Sequence, residues 1–393
     1  MGLQERLRAQ LQQREREQLH RQRLSLDSPQ AAEIRLGNEQ LLNFCSNDYL
    51  GLANHPAVIE ASQAAAAQWG AGSGASHLVC GHTSLVDELE RKFANFVGAQ
   101  RALLLSTGYM ANLAAITSFA GRGSWVLQDK LNHASLIDAA TLSRARLKRW
   151  RHGDTAHLRQ LLQQPDRPES LLLASDSVFS MDGDLANLGE LANIGHEYDA
   201  LTLLDDAHGI GVMGRDGRGS LDAAGLQPKG NLLMLATLGK ALGNFGALLT
   251  GDILLIETLV QQARPYIYTT ALPPSVVAGS LKALELLQSE AWRQQQLQEN
   301  IRYFCQCAGQ ENLPLMASRT AIQPIVLGSN QRALDASRAL REKGLLVTAI
   351  RPPTVPKSTA RLRITLRADH SRQQIDRLLE NLVQLSVQPE LAQ

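Results

Sequence analysis

Asp205, His208, Thr237 and Lys240 each stand just beyond a short apolar run, at 201–204 or 232–236. Open parallel sheets bind ligands outside the carboxyl ends of their strands, so these are positions where side chains can do chemistry. Lys240 sits in ATLGKALG without a nearby acid, and desolvation there lowers an amine's pKa and frees its lone pair for imine formation. Asp205, in a poorly hydrated site, favours a proton on a facing ring nitrogen through opposite charge. A third run, 102–105, leads into STGYMAN, where a Gly-containing turn opens a helix whose free N–H groups suit a phosphate. An amine for an aldehyde, a carboxylate for a pyridine nitrogen, a donor for a ring hydroxyl and N–H groups for a phosphate together match pyridoxal phosphate.

Taken singly, these residues have plainer readings: a solvated lysine, an aspartate capping a turn, an ordinary strand-to-helix turn. Gly209, Gly211 and Gly214 also spell G-x-G-x-x-G. A dinucleotide site needs a helix to begin within those glycines, whereas 215–220, RDGRGS, reads as turn and loop, which makes a nicotinamide enzyme the lesser alternative.

The elements that must position these groups are legible as alternation. Apolar runs at 102–105, 125–127, 171–174, 201–204, 232–236 and 247–250 are separated by polar or helical stretches, the pattern of a mostly parallel sheet covered by helices on both faces. Val277, Leu281, Leu284, Leu287 and Ala291 recur at helical spacing and predict one long helix over 275–308. Beyond it, strands near 322–327, 345–350 and 362–366 alternate with helices near 333–343 and 370–385, which predicts a smaller α+β domain. At the other end, Leu3, Leu7 and Leu11 mark an amphipathic helix expected to dock on an apolar surface.

Composition narrows the function. Thirty-nine Lys plus Arg against 38 Asp plus Glu give a net charge of +1 in 393 residues, so no broad attraction to nucleic acid or anionic membrane is expected. The longest apolar neighbourhood, 245–260, is interrupted by Thr250, Gly251, Asp252, Glu257 and Thr258 and cannot form one spanning helix. Residues 1–24 carry Arg and Glu throughout and lack an apolar signal core, so a cytoplasmic address is expected. Cys45 and Cys80 stand alone, and Cys305 and Cys307 form a C-x-C pair with no second pair, which is neither a zinc site nor a disulfide framework.

SNDYLGL (46–52), GSGASHLVCGHT (72–83), NHASL (132–136), FSMDGD (179–184), DDAHG (205–209), TLGK (237–240) and ARLRITL (360–366) follow one another along nearly the whole chain. In this set the sequence resembles the α-oxoamine synthases, fold-type I pyridoxal phosphate enzymes that condense an amino acid with an acyl thioester and release carbon dioxide. The resemblance implies an α/β fold with a large, mostly parallel seven-stranded sheet domain flanked by helices and a smaller α+β C-terminal domain. It divides the chain into an N-terminal helical arm at 1–50, the cofactor domain at 51–275 and the small domain at 276–393. It assigns the imine to Lys240, the pyridine nitrogen to Asp205, the ring hydroxyl to His208 and the ring face to His133, with Gly108, Tyr109, Ser180 and Thr237 as further cofactor contacts.

For substrate, the resemblance points Asn47 and Arg363 at the amino-acid carboxylate and Arg21 and Thr354 at the acyl group, with His133 orienting the reacting groups. Arg363 alternates with Leu362 and Ile364, so a solvent-facing position is its plainer alternative. The stretch at 349–366 is most similar to members that use L-alanine and a pimeloyl thioester, carried by coenzyme A or an acyl carrier protein; sister activities on glycine or serine remain alternatives. RPYIYTT (264–270) resembles the segment that sends a threonine, here Thr270, to a partner's phosphate, which implies a homodimer. Val86, His77 and Asp176 depart from the family pattern; Asp176 stands where Glu is usual.

Overall fold

The structure, a computed structural model, describes residues 1–387. In chain order its strands are β1 (Glu33–Leu36), β2 (Glu39–Asn43), β3 (Arg101–Leu105), β4 (Trp125–Asp129), β5 (Arg146–Trp150), β6 (Leu171–Asp176), β7 (Leu201–Asp205), β8 (Leu232–Thr237), β9 (Ala247–Gly251), β10 (Ile322–Gly328), β11 (Leu345–Leu346), β12 (Thr348–Ile350) and β13 (Ala360–Thr365). Two compact units form: one from 48–180 and 184–295, the other from 1–47, 181–183 and 296–387.

In the first unit, strands that are apolar at consecutive positions lie buried on both faces of a seven-stranded sheet ordered β3-β9-β8-β7-β6-β4-β5. β4, β5, β6, β7 and β8 pair in parallel, whereas β9 runs against both β8 and β3. Its reversal follows from length: the turn at 238–246 is too short for the crossover a parallel return needs. That same tight turn carries Lys240. Helices Gly108–Phe119 and Ala134–Ser143 bury small side chains, Ala111, Ala114, Ala115, Ala139 and Ala140, in the sheet's core, which lets their backbones approach closely.

β5 was not visible as an apolar run. Its sequence, RLKRW, is that of an edge strand, with Lys148 4.2 Å above the Trp125 ring and Arg146 paired with Asp166. The predicted single helix over 275–308 is two, Pro274–Ser289 and Trp292–Gln310, broken at Glu290, whose carboxylate accepts from Arg293 Nε at 2.5 Å. The first of the two packs on Pro56–Trp69 within the sheet-bearing unit.

The second unit holds two three-stranded sheets, β1-β2-β11 and β10-β13-β12, with helices Asn330–Glu342 and Arg372–Val387. The stretch at 1–50 is helical only over Leu3–Arg16 and then forms the β1-β2 hairpin. Among the described residues the Leu3, Leu7 and Leu11 stripe stays open, the three being 63%, 49% and 54% exposed. Buried Arg367 is held by Asp369 through two bonds of 2.7 and 2.8 Å. Among the described residues no helix is long and apolar enough to cross a membrane.

Candidate active site

β6, β7 and β8 end on Asp176, Asp205 and Thr237, so parallel pairing brings those three side chains to one edge of the sheet. Two helix starts meet them there. Thr107 caps Gly108–Phe119 by accepting from Met110 N at 3.1 Å, and His133 caps Ala134–Ser143 by accepting from Ser135 N at 3.3 Å. The strand ends, the helix starts and the 238–246 turn enclose a cavity of about 200 Å³. Gly108, Tyr109, His133, Ser180, Asp205, His208, Thr237 and Lys240 all line it, so eight of the residues singled out in the sequence come together.

Lys240 Nζ lies 2.8 Å from His208 Nε2, and His208 Nδ1 lies 2.6 Å from Tyr49 Oη. Asp205 accepts from Asn112 Nδ2 at 2.7 Å and from Ala207 N at 3.1 Å, which fixes the carboxylate. Burial lowers the His133 pKa, with Lys240 adding to the effect against the opposing charge of Asp205. Burial, reinforced by Asp205, raises Asp176 well above the usual carboxylate range, while its Oδ2 accepts from His133 N at 2.9 Å. Two acids therefore face one cavity in different environments: Asp205 held by N–H donors, Asp176 pushed toward its protonated form.

Three participants were missed in the sequence. Asn112 and Ser135 are buried and bonded to each other at 2.8 Å, and Tyr49 is buried against His208. Asn112 had a signal: it is a lone polar residue in an apolar stretch, four residues after Gly108 and hence on the same helix face.

The donor set fits pyridoxal phosphate. Lys240 offers the amine, Asp205 a fixed carboxylate, and the start of Gly108–Phe119 offers backbone N–H groups with the positive end of a helix. Gly108 has no room for a side chain, since a Cβ there would meet Thr237 Cγ2 at 2.8 Å. By contrast, Gly209, Gly211 and Gly214 belong to a turn followed by a 3₁₀ turn and the short helix Ser220–Ala223; a Cβ on Gly209 would strike Asp206 Oδ1 at 2.0 Å. Packing explains those glycines.

Thr270 does not line its own chain's cavity; it is exposed and bridges to Ser76. In the other unit, Arg363 is buried rather than solvent-facing, and donates from Nη2 to Asn47 Oδ1 at 3.2 Å and from Nη1 to Thr365 Oγ1 at 3.0 Å. Exposed Arg21 donates to Thr354 Oγ1 at 3.3 Å beside a cavity of about 250 Å³. Of the departures, Val86 is a core residue, and His77 stacks on Tyr266 at 4.7 Å while bonding His82.

Residues 39–382 match the family described as Aminotransferase class I and II. The chain is 52% identical over 386 residues to 8-amino-7-oxononanoate synthase of Pseudomonas putida KT2440, covering 98% of each protein. It is 51% identical to the enzyme of that name from Methylococcus capsulatus, covering 92% of this chain and 94% of the relative. Among solved structures, Sphingomonas wittichii serine palmitoyltransferase superposes with a TM-score of 0.92 at 28% identity, covering 98% of both chains. The 8-amino-7-oxononanoate synthase of Francisella tularensis does so with 0.77 at 30% identity, over 88% of this chain and 97% of that one.

Proposed function

Since the chain belongs to the class I and II aminotransferase family, and within it to the 8-amino-7-oxononanoate synthases, we propose that it joins L-alanine to a pimeloyl thioester, releasing carbon dioxide and free thiol to give 8-amino-7-oxononanoate. The observation that carries this reading is the convergence of Lys240, Asp205 and the Gly108 helix start on one cavity. When bound, pyridoxal phosphate supplies an aldehyde for the amino group and a cationic ring that accepts the electron pair left at Cα.

The protein's residues do the rest. Lys240 holds the cofactor and, once displaced by alanine, its amine removes the Cα proton and later returns one. Asp205, fixed by Asn112 and Ala207 N, keeps the ring nitrogen protonated through its negative charge. The N–H groups at Gly108 and Tyr109 bind phosphate, with Ser180 and Thr237 beside them. His133 covers the ring face and orients the reacting groups. Arg363, whose fork is already aimed by Asn47 and Thr365, takes the alanine carboxylate, and Arg21 with Thr354 takes the acyl chain. Two copies of the chain form the working unit, with Thr270 reaching the partner's phosphate.

The test is product mass spectrometry with alanine, glycine and serine against pimeloyl-coenzyme A and pimeloyl carrier protein. Alanine with a pimeloyl donor should give 8-amino-7-oxononanoate, and the two donors separate the carriers. Preference for glycine with an acetyl or succinyl donor would instead assign a sister activity.

A further inference from the structure

Tyr49 lies in SNDYLGL, a segment from which the mechanism above uses only Asn47. Its side chain is 1% exposed, with Oη 2.6 Å from His208 Nδ1, while the opposite ring nitrogen, Nε2, lies 2.8 Å from Lys240 Nζ. The three side chains form one hydrogen-bonded row that ends on the nitrogen whose protonation the reaction depends on. A neutral imidazole carries a proton on one nitrogen and a lone pair on the other, so the contact at one end constrains the contact at the other.

Beside a protonated Lys240, Nε2 must accept. The imidazole proton then sits on Nδ1 and must be donated to the tyrosine oxygen. A neutral Lys240 amine can accept instead: Nε2–H then donates to it, Nδ1 is bare, and the tyrosine O–H donates to Nδ1. A phenol hydroxyl serves both arrangements because it donates and accepts.

We propose that Tyr49 is a positioning residue, whose hydroxyl lets His208 present either tautomer to Lys240 and so sets the pH at which the lysine nitrogen changes protonation. This rests on the reading of Lys240 as the cofactor-binding lysine. The other ionisable groups lining the cavity are Asp205, Asp176, His133 and Tyr109, on β7, on β6 and at the two helix starts. All of them are unchanged in the variants below.

The measurement is the pH titration of the cofactor's visible absorption in the loaded enzyme. Loss of the band in Lys240→Ala tests the underlying reading by itself. In Tyr49→Phe, which fills the same buried space, both arrangements lose the hydroxyl, but the one beside a protonated lysine nitrogen strands a buried N–H on Nδ1, a costlier loss than a bare lone pair, so the midpoint should fall by about 0.5 to 1 pH unit. The pH profile of kcat should move with it, while KM for alanine stays within about twofold. A second variant keeps the hydroxyl: 3-fluorotyrosine at position 49 is a weaker acceptor and should move the midpoint the same way by less. An unmoved midpoint in folded, cofactor-loaded Tyr49→Phe overturns the proposal. So does an equal shift when the substitution is made in a His208→Gln background, where the relay is already cut.

Discussion

Asp205 and Asp176 carry the same functional group into the same cavity, and their surroundings separate them. Asp205 accepts from two N–H donors, Asn112 Nδ2 and Ala207 N, which fix the carboxylate. Asp176 is buried, with Asp205 as the nearby like charge, and that favours its proton. A neutral replacement should therefore matter at one site far more than at the other. Asp176→Asn keeps an oxygen for His133 N and is expected to hold cofactor with an affinity within about threefold of the parent, whereas Asp205→Asn should lose at least about a hundredfold in kcat. Equal losses in both would contradict the assignment of charge. Asn112 is the donor that orients Asp205, and a hydrogen bond to a charged group contributes about 1.5–3 kcal/mol. Asn112→Ala should accordingly weaken cofactor retention by about 10- to 100-fold in equilibrium dialysis, with the fold intact by circular dichroism.

Between strands, His152 ties together pieces that the sequence separates widely. Its Nδ1 pairs with Asp129 at the end of β4 at 2.9 Å, and its Nε2 pairs with Asp184 at 2.8 Å, while the ring stands edge-on to Phe179 at 4.5 Å. Phe179 N donates to Asp184 O, so this clamp secures the turn that presents Ser180 to the cavity. Hydrogen bonds to Asp129 first and Asp184 second raise the His152 pKa from 6.5 to about 10. Because the folded value lies above the unfolded one, the stabilisation is complete below pH 6.5 and is lost as pH rises through about 10. His152→Ala should cost about 1–3 kcal/mol near neutral pH, the lower end reflecting partial exposure. Urea unfolding at pH 6, 8 and 10 should show the parent losing stability over that interval and the variant changing less. Parallel slopes would show that the clamp is not the titrating element.

At the scale of the whole molecule, the features left over concern assembly. Thr270 is exposed and does not line its own chain's cavity, and the Leu3, Leu7 and Leu11 stripe is exposed. If Thr270 serves a partner's phosphate, then Thr270→Ala should raise the cofactor dissociation constant by about tenfold, and sedimentation should find two chains per particle. A monomer whose cofactor affinity is indifferent to Thr270 would remove the dimeric reading.

Features that are local and periodic could be read from the order of residues. Consecutive apolar runs announced β3, β4, β6, β7, β8 and β9, and residues just past their ends, Asp205, His208, Thr237 and Lys240, announced the cavity, because a strand's end is a matter of chain order. β5 and the β1-β2 hairpin escaped, since charged β5, unlike β3 at the other edge, is buried only at Trp150, and β1 and β2 are each only partly buried. The break at Glu290 escaped because helical spacing continues across it without Gly or Pro. Tertiary structure alone decided which distant polar groups meet: Tyr49 with His208, Asn112 with Asp205, His152 with Asp184, and Arg363 buried rather than solvent-facing. Those contacts depend on how strands are ordered across a sheet and how helices lie on it, and the order β3-β9-β8-β7-β6-β4-β5 is written in no run of neighbouring residues.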